Sequence, residues 1–257
     1  MNSLSISEPE TETVTCEQHG AYVAKLTRIP GFVDRPIRSE CPACREQRDR
    51  EEEAHKLAHE RRSQEMARAG RLANCRIPPR FADKTLADFV PTSEGARKTK
   101  ALAERYVAAF GTARGTSLIF CGKPGTGKTH LACAIAHAIT EKFSARFCSV
   151  LTAIRHVKSA YRKDCEYTEE EAIGDLIAPA LLVLDEVGVQ VGSEHEKMLL
   201  FEIINERYQQ CRSTILVSNL TAEEIAEYLG DRVVDRFRED GAIVAFDWSS
   251  YRTRRPS

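Results

Sequence analysis

The chain has 257 residues, 42% hydrophobic and 29% charged, with a formal net charge of −1. That length buries one sizeable core and still carries an appendage. No apolar run approaches the ~18–20 residues of a helical membrane span, and near-neutrality rules out a strong global field for nucleic acid while leaving room for a local basic surface.

The first stretch, MNSLSISEPETETVT, has neither the basic start nor the apolar core of a secretory signal, which predicts a cytoplasmic protein. Residues 1–15 are polar and are expected to be disordered. Cys121, Cys133, Cys148, Cys165 and Cys211 are scattered singly, as reduced thiols are rather than a disulfide framework.

Residues 16–44 hold Cys16-x2-His19 and Cys41-x2-Cys44, two chelating pairs separated by 21 residues. Gly20 and Pro42 suit tight knuckles that aim two ligands at one ion. Sulfur with one imidazole favours a closed, tetrahedral, structural Zn²⁺, without which so small a segment would not fold. The alternative is four free thiol and imidazole groups brought close by chance in the sequence. Residues 45–72 are dense in Arg, Glu and Ala and predict a long linking helix, polar nearly all round, within a 45–75 linker. It is a spacer, a partner-binding rod, or simply a solvated helix.

Pro78 and Pro79 end that helix, and a core domain is expected over 76–257. After a helix from roughly Glu94 to Phe110 come five apolar runs: SLIFC (117–121), ARFCSVL (145–151), LLVLDEV (181–187), STILVSN (213–219) and AIVAF (242–246). Helices fill the gaps, with Leu131, Ile135 and Ile139 on one face and Leu200, Ile203, Ile204 and Tyr208 on another. Continuous apolar runs imply strands covered on both sides, hence a parallel sheet in a three-layer α/β domain.

Between the first strand and the next helix, residues Gly122 to Thr129 complete the pattern G-x4-G-K-S/T within CGKPGTGKTHLA. Gly122, Gly125 and Gly127 allow a tight loop whose N–H groups face phosphate oxygens. Lys128 brings a charge to the outer phosphates of ATP, and Thr129 a hydroxyl for Mg²⁺. The cradle is expected to comprise Gly122, Lys123, Pro124, Gly125, Thr126, Gly127, Lys128, Thr129 and His130. Asp185 and Glu186 end another apolar run, about 55 residues further on. Ligands of open α/β sheets bind beyond the carboxyl ends of strands, so Asp185 is placed to hold Mg²⁺ and Glu186 to polarise an attacking water. An ordinary exposed turn is the plainer alternative. Asn219 ends the next run, where it either bonds the water or the γ-phosphate or forms a turn. In GDRVVDRFRED, Arg232 and Arg236 lie one helical turn apart with Arg238 nearby. Each is suited to stabilise a phosphoryl group from a neighbouring subunit, or to pair with Asp231 or Asp235.

With these residues in view, the sequence resembles the DnaC-type helicase loaders, a branch of the AAA+ ATPases that also contains the IstB transposition helpers. The resemblance covers roughly Ile77 to Arg254 and rests on CGKPGTGKTHLA, LLVLDEVGVQ, LVSNL, LGDRVVDRFRED, FDWSSYRTR and the entry segment RIPPRFADKTLADF. It implies an AAA+ P-loop NTPase core with a five-stranded parallel sheet. Asp185 and Glu186 would be the Walker B pair, Asn219 sensor 1 and Arg236 the arginine finger. It also implies a single-stranded DNA contact near Tyr161, Ser193 and His195; Arg155, Lys158, Arg162 and Lys163 surround the tyrosine, which is otherwise a core residue.

Only about ten residues follow AIVAF, so no C-terminal helical lid is expected, and Arg252 is expected to take part of a lid arginine's role. ATP hydrolysis should then be slow in one subunit and stimulated by assembly of the ATPase cores on DNA. The zinc module and its helix would grip a hexameric replicative helicase. The alternative is an IstB-like transposition helper on duplex DNA; an inert nucleotide-dependent adaptor is disfavoured by the intact Lys128, Asp185 and Glu186.

Overall fold

The computed structural model describes residues 10–27, 36–112, 115–189 and 193–254. The chain forms two compact units, Met1–Met66 and Ala67–Ser257.

In the first unit, β1 (Thr11–Cys16) and β2 (Gly20–Thr27) form an antiparallel hairpin in register from Thr11↔Lys25 to Cys16↔Gly20. A two-residue β3 (Ile37–Arg38) pairs with the far end of β2. Residues 11–15 are therefore a strand and not disordered. Their alternating side chains pair with β2, and the Arg38 guanidinium grips the Glu12 carboxylate with both nitrogens, at 2.9 and 3.1 Å. The expected disorder over 1–9, and residues 28–35 of the expected metal module, lie outside the described residues. Helix α1 (Pro42–Cys75) starts three residues earlier than the sequence suggested, because proline suits a helix's first turn. Its residues 45–70 are all exposed. Local charge pairs such as Arg50–Glu46 and Arg48–Glu52 line it, each worth only a few tenths of a kcal/mol, about 0.3–0.5.

The second unit is a five-stranded parallel sheet in the order β5-β6-β7-β4-β8. Its strands are β4 (Leu118–Gly122), β5 (Ala145–Ser149), β6 (Leu181–Val187), β7 (Ser213–Ser218) and β8 (Ala242–Phe246). All five apolar runs are strands. β5 ends at Ser149, two residues short of expectation, because its hydroxyl accepts the Thr152 N–H and caps the next helix. Alternate strand residues face two separate apolar layers. Leu118, Phe120, Leu181, Val183, Ile215 and Val217 pack with α2 (Glu94–Ala109) and α3 (Lys128–Ile139). Ile119, Cys121, Leu182, Leu184 and Leu216 pack with α4 (Val150–Ser159), α5 (Glu169–Ile177), α6 (Glu194–Gln209), α7 (Ala222–Leu229) and α8 (Asp231–Glu239). Burial on both faces explains the unbroken apolar runs.

One cation is buried within this packing. Arg207 on α6 is fully buried and has no carboxylate partner among the described residues. Its guanidinium donates to the carbonyls of Leu176, Ile177 and Pro179 at 2.8–2.9 Å, to Ser213 O, and to Thr214 Oγ1 at 2.9 Å. It thus satisfies the last carbonyls of α5, which otherwise have no helical donor. Burial lowers its pKa to about 9, which leaves it charged at neutral pH. The buried position on this face is Arg207, whereas Tyr208, expected there, is only half-buried.

Candidate functional site

The carboxyl ends of β4, β6 and β7 meet at one cleft of about 390 Å³. Pro124, Gly125, Gly127, Lys128, Thr129, His130, Asp185, Glu186 and Asn219 from the expected set all line it. Because β7 lies between β4 and β6, Asn219 sits between the glycine loop and the acidic pair.

The loop is built tightly. Gly122, Gly125 and Gly127 have φ of 114°, 78° and 97°. At Gly127 a Cβ would come within 2.9 Å of the Phe89 ring, so a side chain is refused on both counts. The Gly122 N–H donates to Leu220 O at 2.7 Å and the Lys123 N–H to Phe246 O at 3.1 Å. Thr126 is buried and its hydroxyl donates to Lys123 O at 2.8 Å. Lys128 folds its ammonium back onto the loop, donating to Gly122 O and Lys123 O at 2.7 Å each. Burial lowers its pKa to about 8; the neighbouring Asp185 opposes this and Arg252 adds to it.

The acidic pair is not an ordinary turn. A bulge interrupts the β6–β7 ladder between Leu184 and Val187. Glu186 is exposed at φ 63°, a left-handed conformation that costs a side-chain-bearing residue about 1–2 kcal/mol. Asp185 is half-buried; its Oδ1 accepts the Glu186 N–H at 2.8 Å, and the nearby Thr129 hydroxyl favours its charged form. Burial raises its pKa. A carboxylate and a hydroxyl side by side, both hard oxygen donors, form a donor set that suits Mg²⁺. β7 is braced beside them, with Ser218 Oγ donating to Val187 O at 2.6 Å.

His130 packs beneath the cleft, stacked against Phe81 at 6.4 Å and edge-on to Phe89 at 6.1 Å. Its Nε2 is buried without a partner among the described residues, and burial lowers its pKa. Arg80, Phe81, Tyr251 and Arg252 also line the cleft. Arg252 is where the lid-arginine expectation placed a cation; Arg80, Phe81 and Tyr251 had no signal beyond membership of the quoted entry and C-terminal segments.

Arg236 does not line this cleft. It packs against α6 of its own chain, bonded to Asn205 Oδ1 with its guanidinium 4.6 Å from the Tyr208 ring centre. Arg238 reaches Asp235 at 3.4 Å, the surface ion pair the sequence allowed for. Tyr161 is exposed and meets His195: its hydroxyl lies 3.2 Å from His195 Nε2 and donates to Glu169 at 2.7 Å. Ser193 caps α6 in a reciprocal box with Glu196. Of the four cations around Tyr161, Lys158 is paired with Glu196 at 2.6 Å and Arg162 lies 3.7 Å from Asp164. Arg155 and Lys163 form no ion pair among the described residues.

In the first unit, the ligand atoms of Cys16, His19, Cys41 and Cys44 all lie within 4.8 Å of one another. Cys16 and Cys44 sulfurs are 3.5 Å apart, and His19 Nδ1 is 3.3–3.9 Å from the three sulfurs. A tetrahedral ion with metal–sulfur bonds of ~2.3 Å needs edges of roughly 3.5–3.8 Å, so the four residues can hold one metal ion. The Gln18 amide, then the His19 ring, hold the Cys16 thiol down at about 6, while Cys16 pushes Cys44 up to about 11.

Residues 50–257 match the model of the family described as IstB-like ATP binding protein. The chain is 34% identical over 200 residues to the replicative helicase loader DnaC of Escherichia coli K12, covering 77% of this chain and 80% of that one. It is 37% identical over 161 residues to the DnaC of Buchnera aphidicola from Acyrthosiphon pisum, covering 62% of this chain and 65% of that one. Among solved structures, a DnaC helicase loader superposes with a TM-score of 0.59 at 26% identity, over 65% of this chain and 98% of that one. AMPPCP-bound DnaA from Aquifex aeolicus superposes at 0.54 and 26% identity, over 66% and 51%. The second unit is accordingly an AAA+ P-loop fold, and the chain belongs to the IstB/DnaC family of ATP-binding proteins.

Proposed function

We propose that this chain is an ATP-dependent loader of the hexameric replicative DNA helicase, acting in the cytoplasm on single-stranded DNA during replication initiation. The observation that carries the reading is the intact cleft, with Lys128, Thr129, Asp185, Glu186 and Asn219 on one rim, in a chain similar to helicase loaders over 77% of its length.

Lys128 and the loop amides hold the β- and γ-phosphates of ATP. Thr129 and Asp185 hold Mg²⁺, which when bound neutralises charge on the phosphate oxygens. Glu186 accepts a proton from water as its oxygen bonds to the γ-phosphorus, and the bond to the bridging oxygen breaks to release ADP. Asn219 orients that water. Arg236, outside its own chain's cleft, serves a neighbour's cleft when cores assemble side by side, so turnover is slow until assembly on DNA. Cys16, His19, Cys41 and Cys44 hold zinc, which keeps the hairpin and the first turn of α1 together as the module that docks on the helicase. Tyr161, with Ser193 and His195 nearby, contacts single-stranded DNA by stacking. No helix among the described residues is long and apolar enough to cross a membrane.

The test is co-purification of the chain with the replicative helicase of its own organism, with and without ATP. It is paired with an ATPase assay in which single strands stimulate the wild type and Lys128→Ala is inactive. Failure of both refutes the reading. The match to the IstB-like model favours one other role, a transposition helper; assembly on duplex DNA with a transposase, and no helicase complex, would establish that instead.

A further inference from the structure

Ser218, the last residue of β7, is 1% exposed, and a hydroxyl buried so deeply is costly unless it is hydrogen-bonded. Its Oγ donates to Val187 O at 2.6 Å and accepts the Leu220 N–H at 3.1 Å. The first bond fastens the far side of the bulge in β6, where the ladder resumes with Val187 opposite Ser218. The second closes a turn whose middle residue is Asn219. Leu220, at the end of that turn, also accepts the Gly122 N–H at 2.7 Å. The two turns touch a second time beside this bond. A Cβ on Gly188 would come within 2.4 Å of Leu220 Cδ1, so only glycine lets the leucine approach so closely. Glu186 and Asn219 have little else to hold them. Both are exposed on the cleft wall, and neither side chain makes a hydrogen bond or ion pair among the described residues. Where each is aimed is therefore set by its backbone.

We propose that Ser218 is a positioning residue for hydrolysis: its one hydroxyl joins the strand end that carries Glu186 to the turn that carries Asn219. It thereby fixes the spacing of the two groups that hold the attacking water. The inference rests on the nucleotide reading of the cleft and deepens it. The serine's only hydroxyl proton is engaged by Val187 O, so it has none to give a phosphate oxygen and acts through these two residues. Without the hydroxyl, the Val187 carbonyl loses its donor and the Leu220 amide its acceptor. The bulge and the turn are then free to shift against each other. A displacement of about 1 Å at a reacting group costs on the order of 100-fold in rate, whereas phosphate binding by the glycine loop depends far less on it.

Single-turnover hydrolysis and Mg-ATP affinity are measured on the full chain, with single-stranded DNA present, for the wild type, Ser218→Ala, Ser218→Thr and Ser218→Cys. Ser218→Ala is expected to lose about 10–100-fold in rate, with affinity changed by less than about threefold. Threonine, which keeps the hydroxyl, should restore most of the rate. Cysteine, a weak donor of similar size, should fall between, and it carries the test if the alanine variant does not fold. Thr214→Val removes another buried hydroxyl, at the opposite end of β7, and should leave the rate unchanged. General loosening of the strand is thus separated from loss of this one bridge. In a Glu186→Gln background, Ser218→Ala should cost much less than in the wild type, because the group it positions is already gone. An unchanged rate in Ser218→Ala, an equal loss in Thr214→Val, or full multiplication of the two losses overturns the proposal and leaves the nucleotide site standing. Loss of affinity alone does the same, as does a wild type that binds ATP without hydrolysing it. Absence of ATP binding in the wild type overturns the nucleotide reading itself.

Discussion

Nucleotide binding should take up a proton, and Lys128 sets how much. Lys128 is 5% exposed, and burial lowers its pKa from 10.5 to about 8 in the ligand-free cleft. A triphosphate brings several negative charges beside it, which favours the charged form and returns the pKa toward its ordinary value. With those two values, binding should draw in about 0.1 proton per site at pH 7, about 0.5 at pH 8 and about 0.9 at pH 9. The nucleotide's own terminal phosphate, with a pKa near ~6, is already ionised across this range and adds little. Affinity should therefore fall as pH rises through 8, approaching about tenfold per unit between 8 and 10.5. The same shift acts oppositely on the empty fold. Its lysine pKa is lowered, so the unfolded chain binds more protons in that window, and stability rises with pH there. The assay is calorimetric titration of Mg-ATP at pH 8 and 9 in buffers of different ionisation heat, the slope of heat against ionisation heat giving the protons taken up. A zero slope at both pH values, with ATP bound, refutes the argument.

Three further outcomes follow from other parts of the molecule. Arg207→Ala should destabilise the second unit by about 3–5 kcal/mol, because several buried carbonyls lose their donor, with removal of a desolvated charge limiting the loss; a change in the urea midpoint equivalent to under about 1 kcal/mol contradicts this. Glu186→Gln should cut single-turnover hydrolysis by at least about 100-fold while Mg-ATP affinity is kept; unchanged turnover removes Glu186 from the chemistry. Cys41→Ser should abolish retention of zinc, measured by metal analysis, and loosen the first unit while ATP binding persists; retained stoichiometric zinc rejects the proposed centre.

Much of the second unit was legible because its strands are buried on both faces. β6 and β8 coincide with LLVLDEV and AIVAF, although β8 is a half-buried edge strand and β6 runs on through the exposed Glu186. β5 stops early where a serine hydroxyl captures a backbone amide, a choice between strand and cap that periodicity does not reveal. In the first unit, Thr11–Thr15 look polar enough for a tail, and only the partner strand makes their alternation meaningful. The cleft's loop and acidic pair were readable as motifs, but the left-handed backbone at Glu186 was not. Arg207 did leave a trace: it lies in helical register with Leu200, Ile203 and Ile204, a cation on an apolar stripe, and such a position asks where its acceptors are. Arg252 lay in the C-terminal segment, with no spacing rule to say which way that segment turns.

The two amide bonds at the entrance of the glycine loop have a mechanical consequence. Gly122 is tied to the chain leaving β7 and Lys123 to the last residue of β8, so the loop is anchored to both neighbouring strands before any ligand arrives. Only a few residues beyond them are left to adjust around an anion, and most of the ordering entropy has already been lost in folding. Leu220, the acceptor for Gly122, directly follows Asn219, so the asparagine on the cleft wall and the start of the glycine loop are joined like two ends of one short lever.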